Sequence, residues 1–221
     1  MANAVVIGAN RGIGLEVVRQ LAARGDSVVA ACRTTSPELD ATSGVTVVTG
    51  VDVSKRASLD TLRIKVESDG VDQLWVVAGI LRRVSLEDLD LETIRTQFEV
   101  NAIGPLQAVA ALLPALREGS QVGLLTSRMG SIADNTSGGS YGYRMSKAAL
   151  NMAGRSLAHD LRPRGISVTL LHPGFVRTDM TGGAGHIDAH ESAAGLIKRL
   201  DESSMESTGS FYHQSGERLP W

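Results

Sequence analysis

The sequence predicts an α/β protein, a single domain over residues 1–221 built as a doubly wound parallel sheet of about seven strands with helices on both faces. Three observations predict it. Short β-branched runs alternate with longer stretches of helical periodicity along the whole chain. The strand runs are apolar throughout, the pattern of strands buried on both faces. With 221 residues, 43% of them hydrophobic, the chain suits one α/β domain with a sizeable core. Right-handed crossovers then wind the sheet outward from its centre.

The expected strands are Ala4–Ile7, Ser27–Ala31, Val45–Val48, Gln73–Val77, Gln121–Thr126, Ile166–Leu171 and Ser210–Tyr212. Between them the periodicity predicts helices near Ile13–Ala23, Lys55–Glu67, Leu91–Leu116, Tyr141–Leu161 and Asp188–Leu200. Gly25 is placed to stop the first helix. Asp188 with Glu191 reads as a capping box for the last one. The glycine-rich stretch Gly182–Gly185 is the expected mobile loop.

A net charge of −2 with no basic block gives no reason to expect nucleic acid or an anionic membrane as partner. No apolar run reaches the ~18 residues of a membrane span. The first strand follows the N-terminal residues directly, with no leader pattern. Cys32 is the only cysteine, which excludes a disulfide within the chain and fits a reducing compartment. A cytoplasmic protein is expected.

Gly8-Ala9-Asn10-Arg11-Gly12-Ile13-Gly14 follows the first strand and opens the first helix. Glycines there permit a tight turn and close approach of backbone to a diphosphate. The helix N-terminus adds free N–H groups and a partial positive charge. The bland alternative is a glycine-rich turn with no ligand. No Gly-Lys-Ser/Thr follows, so the phosphate loop of nucleoside triphosphatases is excluded. At the end of the second strand, a carboxylate would hold the ribose 2′-hydroxyl of NAD. Cys32-Arg33-Thr34 stands there instead. Arg33 can grip a 2′-phosphate in bidentate fashion, and Arg11 can reach the same group. NADP(H) is therefore expected over NAD(H).

Tyr143 and Lys147 lie four residues apart at the start of a helical run, so they share a face. An ammonium beside a phenol favours the phenolate and lowers the tyrosine pKa from about 10, toward proton transfer near neutral pH. Alone, such a pair is usually a solvated helix face, and it gains weight from the glycine loop elsewhere in the chain. Tyr141 has Met145 at the same spacing and no cation to tune it.

The loop at residues 8–14, the stretch Thr126–Ile132 running on to Tyr143-x-x-x-Lys147, and His172-Pro173-Gly174-Phe175-Val176-Arg177-Thr178-Asp179 together resemble the short-chain dehydrogenase/reductase family over nearly the whole chain. Within it the likeness is to the carbonyl-reductase branch with its sniffer-type and C-signal-like proteins. The resemblance implies a Rossmann sheet and hydride transfer between nicotinamide and a small carbonyl or alcohol substrate. It implies that Ser127 hydrogen-bonds the substrate oxygen, that Tyr143 is the general acid/base, and that Lys147 lowers the phenol pKa and holds the nicotinamide ribose. Asn101 matches the asparagine that steadies a water beside the lysine. Asp52, with Val53 beside it, matches the acidic residue that meets the adenine amino group. Ala78 and Gly79 match the small residues that admit the adenosine half. Pro173, Gly174, Val176 and Thr178 match the segment lining the nicotinamide. A homodimer or homotetramer is implied, through the long helix and the Tyr143 helix, with Leu106, Val109 and Leu113 belonging either to that interface or to the core.

Two positions depart from the family pattern. Val76-Val77 replaces the usual Asn-Asn before Ala78-Gly79, and Ile7 replaces the usual Thr before the first glycine. The first removes amides from between the central strands; the second removes one local hydrogen bond. A nucleotide-binding signalling or regulatory protein without turnover is the alternative reading. An adenosylmethionine-dependent methyltransferase is disfavoured by the missing carboxylate after the second strand. Ser127 is not in Gly-x-Ser-x-Gly, which argues against a serine hydrolase. His186 and His190 lack the Glu of a His-Glu-x-x-His site, and no metal site is expected.

Overall fold

The seven strands are β1 (Asn3–Ile7), β2 (Ser27–Ala31), β3 (Val45–Val48), β4 (Val71–Val76), β5 (Leu116–Leu125), β6 (Ser167–His172) and β7 (Phe211–His213). They form one sheet in the order β3-β2-β1-β4-β5-β6-β7, every pair parallel, in a computed structural model describing residues 1–221. The expected strands are all present, with ends shifted by a residue or two. The exception is β5, which starts five residues early and changes register against β4 between Val71 and Gln73. The order reverses between β1 and β4. That is the switch point where parallel sheets leave a crevice beyond their C-terminal ends.

The helices are α1 (Gly12–Ala23), α2 (Pro37–Asp40), α3 (Arg56–Val66), α4 (Leu91–Phe98), α5 (Gly104–Leu112), α6 (Tyr141–Leu161) and α7 (Ala189–Asp201). A buried cluster lies on each face. One joins α3, α5 and α6 to the sheet through residues such as Leu59, Leu112 and Leu150. The other joins α1 and α7 through Val18, Leu21, Leu196 and Leu200. Gly25 (φ 92°) stops α1, its N–H donating to the Ala22 carbonyl. The Asp188 carboxylate accepts the Glu191 backbone N–H at 2.8 Å and caps α7. α2 has four residues, too few for periodicity to register.

The helix expected over Leu91–Leu116 is broken and shorter. α4 runs into a π-helical turn at Glu99–Ile103, and α5 ends at Leu112. Pro105 supplies the reason. It has no N–H for the carbonyl four residues back, and its ring crowds that carbonyl, so the helix widens by one residue. Gly104 then lies against the sheet side: a Cβ there would stand 2.8 Å from Val53 Cγ2. Val109 is buried and Leu113 packs against the core, so of the two alternatives left by the sequence both belong to the core. Leu106 is exposed, as are Ile103 just before it and Met145 and Met152 on α6.

α6 is fixed over β5 and β6 by a flush contact. A Cβ on Gly154 would come within 2.8 Å of Leu170 Cδ2. The stretch expected to be a mobile loop is tied down at its end. The His186 N–H donates to the Phe175 carbonyl at 2.7 Å, and the Arg177 N–H donates to the Ile187 carbonyl at 2.9 Å. No helix is long and apolar enough to cross a membrane.

Candidate active site

A cavity of about 780 Å³ opens at the C-terminal ends of β1 to β6. The glycine loop forms one wall, through Gly8, Asn10, Arg11, Gly12, Ile13 and Gly14. Gly8 and Gly12 take positive φ values of 93° and 53°. Bare backbone is required at two points. A Cβ on Gly8 would lie 2.6 Å from the Ala78 nitrogen, and one on Gly14 would lie 2.1 Å from the Gly8 carbonyl oxygen. The loop is thus closed on itself and on the end of β4, with α1 starting directly behind it.

The far wall carries Tyr143 and Lys147 from α6, with Leu125 and Thr126 from the end of β5. Lys147 Nζ donates to the Leu125 carbonyl at 2.8 Å and stands 5.9 Å from the centre of the Tyr143 ring. Both side chains are buried. Burial brings the Lys147 ammonium down to about 7. Burial pushes the Tyr143 phenol up, with a hydrogen bond from Ser127 pulling weakly the other way. The sequence expectation of a lowered phenol pKa is therefore corrected for the protein by itself: removal of both groups from water outweighs the pairing that their spacing provides.

Ser127 is buried next to the phenol and caps the short 3-10 turn Arg128–Gly130 by accepting the Met129 N–H at 3.1 Å. Asn101 is presented inward by the π turn. Its side chain accepts the Ile80 N–H at 2.8 Å and donates to the Ile80 carbonyl at 2.9 Å and the Ser146 hydroxyl at 3.0 Å. Both of its amide hydrogens are thus engaged within the protein. One turn earlier, the buried Gln97 accepts the Arg82 N–H at 2.9 Å. The two amides grip the chain after β4 and hold it against α6. A Cβ on Gly79 would stand 3.3 Å from Asn101 Oδ1 and 3.6 Å from Lys147 Nζ, so a small residue suits the point where the two meet.

At the other end of the cavity lie Cys32, Arg33 and Thr34 after β2, and Val51, Asp52 and Val53 after β3. Burial works to raise Asp52, but the Ser54 N–H and hydroxyl, with Arg33 and Lys55, hold it below the usual carboxylate range. Arg11 reaches across the opening to Asp179 at 3.7 Å, an exposed pair of little strength. Ala78, Gly79, Pro173 and Thr178 line the cavity as expected. Gly174 and Val176 do not. Gly174 (φ 87°) makes room for Ile187, and Val176 bridges to Ile187. Ser127 and Asn101 also stand behind the wall, not in it. Ile80, Val100 and Met180 line the cavity and carry no motif, and Arg177 and Asp179 line it from within the His172–Asp179 stretch without a role assigned by the sequence. The rule that parallel strands open a crevice at their C-terminal ends is the one signal that reaches their neighbourhood.

The family model for short chain dehydrogenases matches residues 2–187. The chain belongs to the short chain dehydrogenase family. It is an oxidoreductase of that family, whose cofactor is a nicotinamide nucleotide. It is 44% identical to a 1-hydroxy-2-glutathionyl-2-methyl-3-butene dehydrogenase of Rhodococcus sp. (strain AD45) over 100% of both chains. It is 44% identical to the C-signal protein of Myxococcus xanthus over 72% of this chain and 92% of that one. Among solved structures, the NADPH-bound carbonyl reductase from chicken fatty liver superposes with a TM-score of 0.91 at 29% identity, covering 100% of this chain and 99% of that one. These likenesses put the chain in the carbonyl-reductase branch of the family.

Proposed function

We propose that the protein is an NADP(H)-dependent carbonyl reductase in which Tyr143 exchanges the proton. One observation carries the proposal: the phosphate-type glycine loop and the Tyr143–Lys147 pair line the same cavity. The residues fit a dinucleotide. Gly8 and Gly14 let the loop close on itself and on the end of β4 as a tight turn at the start of α1, where a diphosphate would lie, and Ala78 and Gly79 leave room in the middle of the cavity. Asp52 and Val53 would face the adenine, Arg33 the 2′-phosphate, and Lys147 the nicotinamide ribose. Pro173 and Thr178 would border the nicotinamide. Gly174 and Val176 would act behind them by holding Ile187 in place.

When bound, the reduced nicotinamide supplies the hydride to the carbonyl carbon. Tyr143 gives its proton to the carbonyl oxygen as the C=O electron pair moves onto that oxygen. Because burial holds the phenol protonated, Tyr143 is ready as an acid in the reductive direction. Ser127 and Tyr143 together stabilise the charge growing on oxygen. Lys147 contributes its positive charge beside the phenol when protonated. Asn101 holds the Ile80 segment and Ser146 in register with the catalytic helix, and from there it would steady a water beside Lys147 that extends the proton relay. Met180, exposed on the segment after β6, puts an apolar side chain on the cavity wall, and the substrate class is a small carbonyl or alcohol.

The cofactor preference rests on Arg33 standing where a carboxylate would select NAD, and the NADPH-bound chicken neighbour supports it. Replacing Arg33 by alanine removes a charge-assisted fork worth about 1.5–3 kcal/mol. NADPH should bind roughly 10- to 100-fold more weakly, with NADH affinity changed by less than about threefold. Titrations of both cofactors check this; equal losses would remove the 2′-phosphate role from Arg33.

NADPH oxidation against a panel of aldehydes and ketones tests the function itself. The Rhodococcus relative, a dehydrogenase for a glutathionyl alcohol by name, adds that class of alcohol to the oxidative panel. The signalling alternative is not favoured, since full-length identity of 44% is to a dehydrogenase. A cytoplasmic homodimer or homotetramer, joined through exposed apolar residues such as Leu106, belongs to the same reading.

A further inference from the structure

The chain between Ser127 and Tyr143 joins the two hydroxyls of the proposed site. It makes the 3-10 turn Arg128–Gly130, crosses outward with Ile132 largely exposed, and re-enters at α6. The re-entry is an unusual piece of backbone. Gly138, Gly139 and Ser140 have φ values of 63°, 65° and 48°, three left-handed residues in a row. Ser140 is the only non-glycine residue in the chain with positive φ. Such a run persists only where its surroundings hold it.

Arg144, the residue after Tyr143, does the holding. Its Nε donates to the Gly138 carbonyl at 3.1 Å and its Nη2 to the Ser137 hydroxyl at 2.8 Å. Its Nη1 reaches the Met129 carbonyl at 3.5 Å. Its backbone N–H closes on the Ser140 carbonyl at 3.0 Å. One guanidinium therefore spans both ends of the crossing, 129 and 137–138, from a position adjacent to the catalytic tyrosine. None of its acceptors is a carboxylate. The side chain is used for the fixed fork of its N–H groups, which a lysine cannot reproduce. Two other contacts seat the start of the segment on the same helix. Asn151 Nδ2 donates to the Gly130 carbonyl at 3.3 Å, and a Cβ on Gly130 would lie 2.7 Å from the Lys147 carbonyl carbon.

We propose that Arg144 is a positioning residue that locks the segment 129–140 against the catalytic helix and so sets the shape of the substrate entrance. It acts at the substrate end and not along the cofactor: the segment joins Ser127 to Tyr143, and no residue from 128 to 140 lines the cavity that runs from the glycine loop to Tyr143. The kinetic part of this inference rests on the carbonyl-reductase reading; the structural part does not.

The experiment compares wild type with Arg144→Ala, Arg144→Lys and the double variant Arg144→Ala/Ser140→Gly, using 4-nitrobenzaldehyde and NADPH. In Arg144→Ala, KM for the aldehyde should rise about tenfold while kcat stays within about threefold. NADPH affinity should not change, and amide exchange should accelerate in 129–140 alone. Arg144→Lys should behave like Arg144→Ala. Adding Ser140→Gly should restore part of the lost KM, because glycine keeps the left-handed turn without the arginine. Wild-type KM and wild-type amide exchange in Arg144→Ala would overturn the proposal. So would full rescue by lysine, which would mean that charge and not the fork is what matters. A wild-type protein that reduces no carbonyl compound would sink the functional reading, and amide exchange would still decide the role of Arg144.

Discussion

Tyr143→Phe is expected to lower carbonyl reduction about a thousandfold while leaving NADPH affinity within about twofold of wild type. The size follows from what general acid catalysis contributes when one group is positioned at the reacting oxygen. The selectivity follows from geometry. The phenol ring is buried at the end of the cavity beside Ser127 and Lys147, and the diphosphate end lies at the glycine loop. Phenylalanine fills the same volume, so the fold and the cofactor contacts remain. The hydroxyl is what is lost, and Ser127 alone has no proton relay behind it. Steady-state rates with fluorescence titration of NADPH separate the two effects. Wild-type turnover in Tyr143→Phe would remove the residue from the chemistry.

Gly14→Ala should have the larger effect on the molecule as a whole. A Cβ at this position would lie 2.1 Å from the Gly8 carbonyl oxygen and 3.0 Å from its carbon. Both are backbone atoms of the same tight turn, and no flexible side chain is there to move aside. Either the turn opens or α1 slides away from β1. The second carries Leu15, Val17 and Val18 out of their core contacts. The expected loss is roughly 3 kcal/mol or more, at the upper end of overpacking penalties. NADPH binding should disappear with it. Denaturant unfolding and cofactor titration of the same preparation check both. A Gly14→Ala protein with wild-type stability and affinity would mean that the loop is not closed as described.

Much of this was legible in the residues. The strand runs reveal their order along the chain because parallel strands buried on both faces are apolar throughout, and α6 has the limits that its periodicity predicts, Tyr141 to Leu161. The glycine loop and the Tyr143–Lys147 spacing are local patterns, so they survive translation into three dimensions. What failed was what depends on packing. Periodicity carried one helix through Pro105, although a proline there has no N–H to give, and it left Val109 and Leu113 undecided between interface and core, where packing puts both in the core. Spacing put an amine beside a phenol but could not weigh that against burial of both, which reverses the sign for Tyr143. Gly174 and Val176 belong to a matching motif, yet Ile187, outside that motif, decides what they touch. Arg144 lies within the motif as a spacer; only the three left-handed residues before α6 reveal what it holds.

The central claim is that a nicotinamide nucleotide lies along this cavity with its reactive ring against Tyr143. A crystal structure of the complex with NADP⁺ tests it most directly. The account predicts the diphosphate over Gly12–Gly14, the 2′-phosphate at Arg33, and a ribose hydroxyl about 3 Å from Lys147 Nζ. A nicotinamide turned out toward solvent, with the Tyr143 hydroxyl beyond reach of its ring, would contradict it.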